Sequence, residues 1–392
     1  MKIVVVGAGL VTSLGTGVAA NIAAMREGRS GISPSPSVLH TSNRLPVGEL
    51  PADNESLAAL LGLDGRRTVS RTALLGMLAA REALADAGIG DNLRVGLVSS
   101  TSVGGMDLTE RFFAEFISDD SRGRLRNVRM HDCAASTAAI ADYCGITGYS
   151  TTVSTACSSA ANAIMTGVRL LRHGIADCVV AGGTDALSAF TLNGFKSLMI
   201  LDGEPCRPFD ISRAGLNLGE GAGYIVLMRG EDAVSEPYCT LAGFANCNDA
   251  YHQTASSPDG DGAFMAMSEA LAAAGVAPSQ VDYINAHGTG TPNNDLSESR
   301  ALLRLFDGHV PAFSSTKAFT GHTLAAAGGV EAVLSVLSVR HGYLYPNLNF
   351  TEPIAETGLV PVKDFACGAD VRCVMSNSFG FGGNCSSLVF VK

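Results

Sequence analysis

Tryptophan is absent from the 392 residues, which by itself excludes nothing, but the other shortages are informative. Charged residues make up only 16% of the chain. That is little for the surface of so large a protein, and points to surface covered in an oligomer interface. Positive charge is the scarcer sign: 27 Lys and Arg against 37 Asp and Glu leave a net charge of −10, which argues against bulk nucleic-acid binding. No run of 18 or more apolar residues occurs, so no membrane span is expected. The ten cysteines contain no CxxC pair, and their spacing suggests neither a disulfide framework nor a zinc site. Most lie in apolar stretches and read as small buried hydrophobes in a reduced, cytoplasmic setting. The apolar start, Ile3-Val4-Val5-Val6, is interrupted by Gly7 and Gly9. It reads as a strand entering a glycine turn rather than as a signal peptide.

Apolar residues make up 46% of the chain and glycine contributes 45 positions, enough for a large core with many close backbone contacts. Short β-branched runs alternate with Ala/Leu-rich stretches. Strands are expected at 2–6, 94–99, 150–155, 177–181 and 223–228, then at 239–244, 281–286, 311–315, 372–377 and 387–391. Helices are expected at 69–87, 158–173, 263–274 and 323–341, each followed by glycine. The alternation predicts an α/β fold. Each half has an opening strand, then a later strand that ends in a chemically useful residue before a helix. The polar stretch 229–237 divides them, into 1–233 and 234–392, with no flexible linker between. Gly7-Ala-Gly9 hints at a dinucleotide site, but Thr12 stands where the third glycine is needed and no acidic partner follows at the right distance.

Four segments carry candidate chemistry. In Val153-Ser-Thr-Ala-Cys157-Ser-Ser-Ala160 a β-prone run stops at a cysteine and a helix starts at once. The free N–H groups and partial positive charge of a helix N-terminus would stabilise a thiolate there. A buried structural cysteine is the alternative. In Asn285-Ala-His287-Gly-Thr289-Gly-Thr291-Pro a strand ends in histidine, where α/β folds bind ligands; a hydrogen-bonded turn histidine fits equally well. In the third segment Lys317 precedes Gly321-His322, and a long apolar helix containing Glu331 follows. The positive helix end would keep His322 neutral, and Lys317 and Glu331 could pair; a solvated helix start is the alternative. The fourth, Ser376-Asn-Ser-Phe379-Gly-Phe381-Gly-Gly-Asn384-Cys385, supplies a glycine-rich backbone whose N–H groups could enter a site. One cysteine and two histidines at element ends, without a general base for hydrolysis, fit thioester carbon chemistry better than a protease.

These segments, in this order, resemble the active-site blocks of the β-ketoacyl-[acyl-carrier-protein] synthases I and II. Further matching blocks are Asp177-Cys-Val-Val-Ala-Gly-Gly-Thr-Asp185, Arg207-Pro-Phe-Asp210 and Gly219-Glu-Gly-Ala-Gly223. The resemblance implies a thiolase fold, five layers α-β-α-β-α from two similar halves, in a homodimer, with no metal or redox cofactor. It implies that Cys157 takes an acyl group from acyl carrier protein, with the N–H groups of Cys157 and Phe381 as oxyanion hole. His287 and His322 would then act on malonyl-carrier thioester, organised by Lys317 with Glu331 as support. Thr289 and Thr291 would contact the pantetheine arm, Phe381 would gate the acyl channel, and Phe379, Phe195 and Thr109 would line the substrate site. Phe381, between Gly380 and Gly382, is expected to swing at little steric cost. Arg66, Arg67, Arg124 and Arg129, with Arg122 and Arg126 alongside, could dock the acidic carrier.

The chain departs from the family pattern at Asn384-Cys385, where Thr or His and then Asn are usual, and at Leu216, where an aromatic is usual. Thr109 stands where type II synthases carry a bulky apolar wall residue. Specialised polyene or polyketide synthesis is therefore as open as ordinary fatty-acid synthesis. Non-catalytic, chain-length-determining relatives lose the cysteine, which is present here. Thiolases need a second active cysteine, and Cys373 and Cys385 lie outside that motif.

Overall fold

The computed structural model describes residues 1–39, 41, 43–64, 67–90 and 92–392. Ten strands form the frame: β1 (Ile3–Thr12), β2 (Val95–Ser100), β3 (Ser150–Val153), β4 (Cys178–Asp185), β5 (Gly221–Arg229), β6 (Cys239–Asn248), β7 (Tyr283–Asn285), β8 (Ala312–Ser314), β9 (Cys373–Gly380) and β10 (Asn384–Val391). Each falls on a stretch expected from sequence, and the differences lie at the ends. The hydrogen-bonded order is β8-β7-β9-β10-β6-β1-β5-β4-β2-β3.

That order is one five-strand pattern used twice. In the first half β2 runs parallel to β3 and β4, while β4–β5 and β5–β1 are antiparallel. In the second half β7 runs parallel to β8 and β9, while β9–β10 and β10–β6 are antiparallel. Within the sheet the two halves meet where Val4 and Val5 of β1 pair with Thr240 and Cys239 of β6.

Seven of the helices position the site or build its layers: α1 (Arg71–Ala87), α2 (Met106–Ser118), α3 (Ser159–Arg172), α4 (Ala189–Ser197), α5 (Asp261–Ala274), α6 (Pro292–Leu305) and α7 (Ala327–His341). Helix α1 packs on β1, β5 and β4, and α5 on β6 and β10 with α6 against it. Helices α3 and α7 pack on each other and on strands of both halves, so they form the middle layer. Every position of α7 from Ala327 to Val339 is buried, which explains why its sequence is apolar all round. The stretch Leu324–His341 is long and apolar enough to cross a membrane by composition, but 89% of it is buried inside the protein, as a core helix is. The arrangement is the five-layer thiolase architecture.

The expected glycine turn after Val6 is not there. Strand β1 continues to Thr12, and Gly7 and Gly9 instead let α1 lie directly on it. A Cβ on Gly7 would sit 2.3 Å from the Ala83 carbonyl oxygen, and one on Gly9 2.0 Å from that of Ala79. Beyond Val5, where β1 has left β6, its N–H groups at Ala8 and Leu10 donate to Asp86 and Glu82 of α1. Glycines 88, 174, 275 and 342 follow the four anticipated helices with φ near +60°, as helix-ending residues should. The fourth helix, however, begins at Ala327 rather than 323, after a short 3-10 turn at Leu324–Ala326.

Candidate active site

Cys157 is almost fully buried, at 6% exposure, between β3 and α3. The preceding Ala156 has φ of 53°, a left-handed conformation that non-glycine residues adopt only when their surroundings hold them. Here the turn is held by side chains. Ser159 Oγ accepts from the Thr155 N–H at 2.7 Å and donates to the Ala156 carbonyl at 2.5 Å. The single Ser158 hydroxyl proton lies between two acceptors, the Thr155 carbonyl at 2.7 Å and Asn384 Oδ1 at 2.6 Å. The helix end alone does not set the acidity of the thiol. Burial pushes its pKa up to about 11, against the opposing pull of Lys317 and of the Phe381 and Cys157 N–H groups.

His287 follows β7 and is 2% exposed; His322 is 1% exposed. Their rings stand almost perpendicular with centroids 5.4 Å apart. The Lys317 ammonium, which has hydrogens only to give, lies 3.3 Å from His287 Nδ1 and donates to the His287 carbonyl at 2.5 Å. It also pairs with Glu331. The Leu324 N–H donates to His322 Nδ1 at 3.1 Å. Both Nδ1 atoms therefore act as acceptors, and each neutral imidazole carries its proton on Nε2. Both histidines are held well below their ordinary pKa, first by burial and then by Lys317. His322 is neutral as anticipated, but not through a helix end: its backbone is tied to Asn217 and Gly219, and α7 starts five residues later. Burial lifts Glu331 to about 7 against the pull of Lys317.

A cavity of about 330 Å³ brings these groups together. Cys157, His287, His322, Thr289, Thr291, Phe379, Phe381, Phe195, Ile200 and Leu216 are among its lining residues. Phe381 stacks on Phe195 with centroids 5.9 Å apart. Its turn is less free than its glycines suggest. The Gly382 N–H donates to the Gln253 carbonyl, Asn248 Nδ2 donates to the Gly382 carbonyl, and the Asp249 N–H donates to the Gly383 carbonyl.

Residues 1–233 match the model described as beta-ketoacyl synthase, N-terminal domain, and residues 238–351 the one described as beta-ketoacyl synthase, C-terminal domain. The chain belongs to the β-ketoacyl synthase family. It is 34% identical to the 3-oxoacyl-[acyl-carrier-protein] synthase 2 of Coxiella burnetii, an alignment covering 100% of this chain and 98% of the relative. Among solved structures it resembles the ishigamide ketosynthase/chain length factor, with a TM-score of 0.94 and 29% identity over 100% of this chain and 99% of that one. It also resembles a type II PKS ketosynthase solved with its acyl-carrier protein and bound to the hexaketide, with a TM-score of 0.86 and 25% identity over 100% and 99%.

Thr109 and the described arginines lie away from this cavity. Thr109 is not among the residues lining the cavity; it lies on α2 with its hydroxyl 2.9 Å from His131 Nδ1. Among the arginines, Arg66 falls outside the described residues, Arg67 pairs with Asp142, and Arg122 pairs with Asp119. Arg124, Arg126 and Arg129 are exposed. Three supporting residues had gone unassigned. Glu298, fully buried and lifted to about 7 by burial, accepts the N–H groups of His287 and Gly288. Asn384 Oδ1 accepts from Ser158, Asn162 and Asn246. Asp185 collects donors at the other end of the site. Asp185 closes one of the matching sequence blocks, and a carboxylate ending a largely apolar strand was the sign of its role.

Proposed function

We propose that this synthase elongates carrier-bound acyl chains, with Cys157 as the nucleophile and His287 and His322 as the donors that polarise the malonyl thioester. The observation that carries this is the pair of fixed tautomers. Two neutral histidines, each with Nδ1 occupied, offer two Nε2–H groups to one oxygen in the cavity that holds Cys157.

In the first half-reaction the Cys157 sulfur attacks the acyl thioester carbonyl of acyl carrier protein. The N–H groups of Cys157 and Phe381 stabilise the oxyanion. The carrier thiolate leaves and takes up the thiol proton. In the second, the malonyl thioester oxygen accepts both Nε2–H bonds and CO₂ departs. The enolate carbon then attacks acyl-Cys157, releasing 3-oxoacyl-carrier protein and a thiolate that regains a proton. Neutral histidines suit this step, because they stabilise developing charge without giving up their protons. Thr289 and Thr291, whose hydroxyls are 2.9 Å apart, stand at the cavity to receive the pantetheine arm. Phe195 and Phe379 pack beside the acyl chain.

The carrier docks on the exposed arginines 124 and 129 with Arg67, and a second subunit covers the apolar face of α2. Support for the latter comes from exposed Phe113, Phe116 and Ile117 on α2 and from Leu125 nearby, with exposures of 57%, 43%, 69% and 74%. Ten free cysteines are consistent with a reducing cytoplasm. The test is to supply acyl carrier protein and then malonyl carrier protein, recording the mass of the Cys157 peptide and the product. Acyl-Cys157 followed by 3-oxoacyl product supports the reading; product without acylation at Cys157 contradicts it.

A further inference from the structure

His322 owes its tautomer to one N–H, that of Leu324, and Leu324 is held at φ 53°. A β-branch-free aliphatic residue gains nothing locally from that conformation, so something else must hold the turn. The next residue shows what does. The Ala325 N–H donates to Asp185 Oδ2 at 2.8 Å, and the Ala325 carbonyl accepts from Ser100 Oγ at 3.1 Å. Asp185 is completely buried at the end of β4. It also accepts from Thr101 Oγ1 at 2.5 Å, Ser102 Oγ at 2.6 Å, the Ser102 N–H at 3.0 Å and the Val103 N–H at 3.2 Å. Its two oxygens are fully engaged by donors, so its geometry is fixed from several sides.

We infer that Asp185 is a positioning residue for His322: its carboxylate anchors the Leu324–Ala326 turn so that the Leu324 N–H locks Nδ1 of His322 and leaves Nε2–H aimed into the cavity. The inference rests on the assignment of His322 to the malonyl half-reaction. Leu324 also packs into the apolar cluster of Leu187, Leu192, Leu216 and Val103, with Phe195 and Ile200 at its edge. Three of these residues, Leu216, Phe195 and Ile200, line the acyl cavity. The same turn thus touches the acyl wall with its side chain and His322 with its backbone.

The test uses the full chain with Asp185→Asn, Asp185→Glu and, as a second way to loosen the turn, Ser100→Ala. Two quantities are read: CO₂ release from malonyl carrier protein, and the ¹⁵N resonances of the His322 ring. Asp185→Asn turns one acceptor oxygen into a donor facing donors. It should slow CO₂ release by about ten- to a hundredfold, the effect of losing one charge-assisted bond, while acylation of Cys157 changes by less than about threefold. The Nδ1 resonance should move away from its single hydrogen-bonded acceptor position. Asp185→Glu should restore part of the rate and of the resonance, and Ser100→Ala should shift both in the same direction by less. An unchanged His322 spectrum with unchanged CO₂ release in Asp185→Asn and Ser100→Ala overturns the inference. Equal loss of acylation and CO₂ release, with an unmoved His322 resonance, also overturns it, showing a merely structural role. Absence of CO₂ release from the wild-type enzyme would instead overturn the functional assignment on which the inference stands.

Discussion

The chain makes the same device twice, a strand that ends at a turn from which a buried middle helix starts, and uses it for opposite purposes. In the first half β3 leads through Cys157 to α3; in the second β8 leads through Lys317 and His322 to α7. Each turn contains a non-glycine residue held at φ 53°, Ala156 before the cysteine and Leu324 after the histidine. The first turn is short and delivers a group that must lose a proton to react, its thiol pushed up to about 11. The second is longer, and delivers a group that must stay neutral, held well below its ordinary pKa. Each turn is braced from the other half. Asn384 of β10 binds Ser158 and Asn162 beside Cys157, and Asp185 of β4 binds Ala325 beside His322. The halves share a repeat, but neither holds its own chemistry alone.

The largest effect should come from removing the first device's reactive atom. Cys157→Ala should bring condensation to background, at least about 10³ below wild type, the scale of losing a covalent nucleophile. Cys157→Gln should leave CO₂ release from malonyl carrier protein in place. Retained condensation in Cys157→Ala would break the division of labour. Loosening the brace is milder: Asn384→Ala removes an acceptor shared by Ser158 and Asn162, which keep Thr155 as a partner, and costs about 1–1.5 kcal/mol. It should slow Cys157 acylation by about tenfold and leave CO₂ release nearly unchanged; equal slowing of both would mean the brace serves the whole fold.

The two devices should also respond differently to pH. Below a thiol pKa of about 11, the thiolate fraction rises about tenfold per pH unit. Alkylation of Cys157 by iodoacetamide in the substrate-free enzyme should therefore climb between about pH 7 and 10, following the thiolate. CO₂ release by Cys157→Gln should stay flat over that interval, because both histidines are already neutral. A plateau in alkylation near neutral pH would show that the helix end overrides burial. The smallest effect concerns the surface. Charge reversal at Arg124 and Arg129 should raise KM for carrier-bound substrate a few-fold, about the reach of exposed charges, and spare a small pantetheine thioester.

The reactive residues and the strand–helix alternation were legible because they are local. Cys157, His287 and His322 sit at element ends that β-prone runs, apolar spacing and glycines announce, and all ten strands lay on such runs. What stayed hidden is long-range. The bond from Ala325 to Asp185 spans 140 residues and that from Ser158 to Asn384 spans 226, and neither leaves a periodicity. The burial around Cys157 is hidden for the same reason: the helix end is visible in sequence, whereas the burial opposing it comes from the whole site. Gly7 and Gly9 read as a turn in sequence because close packing of α1 on β1 joins segments some 70 residues apart.

The central claim is that acylation belongs to the Cys157 turn and decarboxylation to the histidine turn. The most direct test is intact-protein mass spectrometry of the His287→Ala/His322→Ala double variant, given acyl carrier protein first and malonyl carrier protein second. Each lost donor is worth about 10²–10³ in rate. The account predicts an acyl group that loads onto Cys157 within a few-fold of the wild-type rate and then remains there without turnover. A double variant that fails to acylate, while remaining folded, would contradict it.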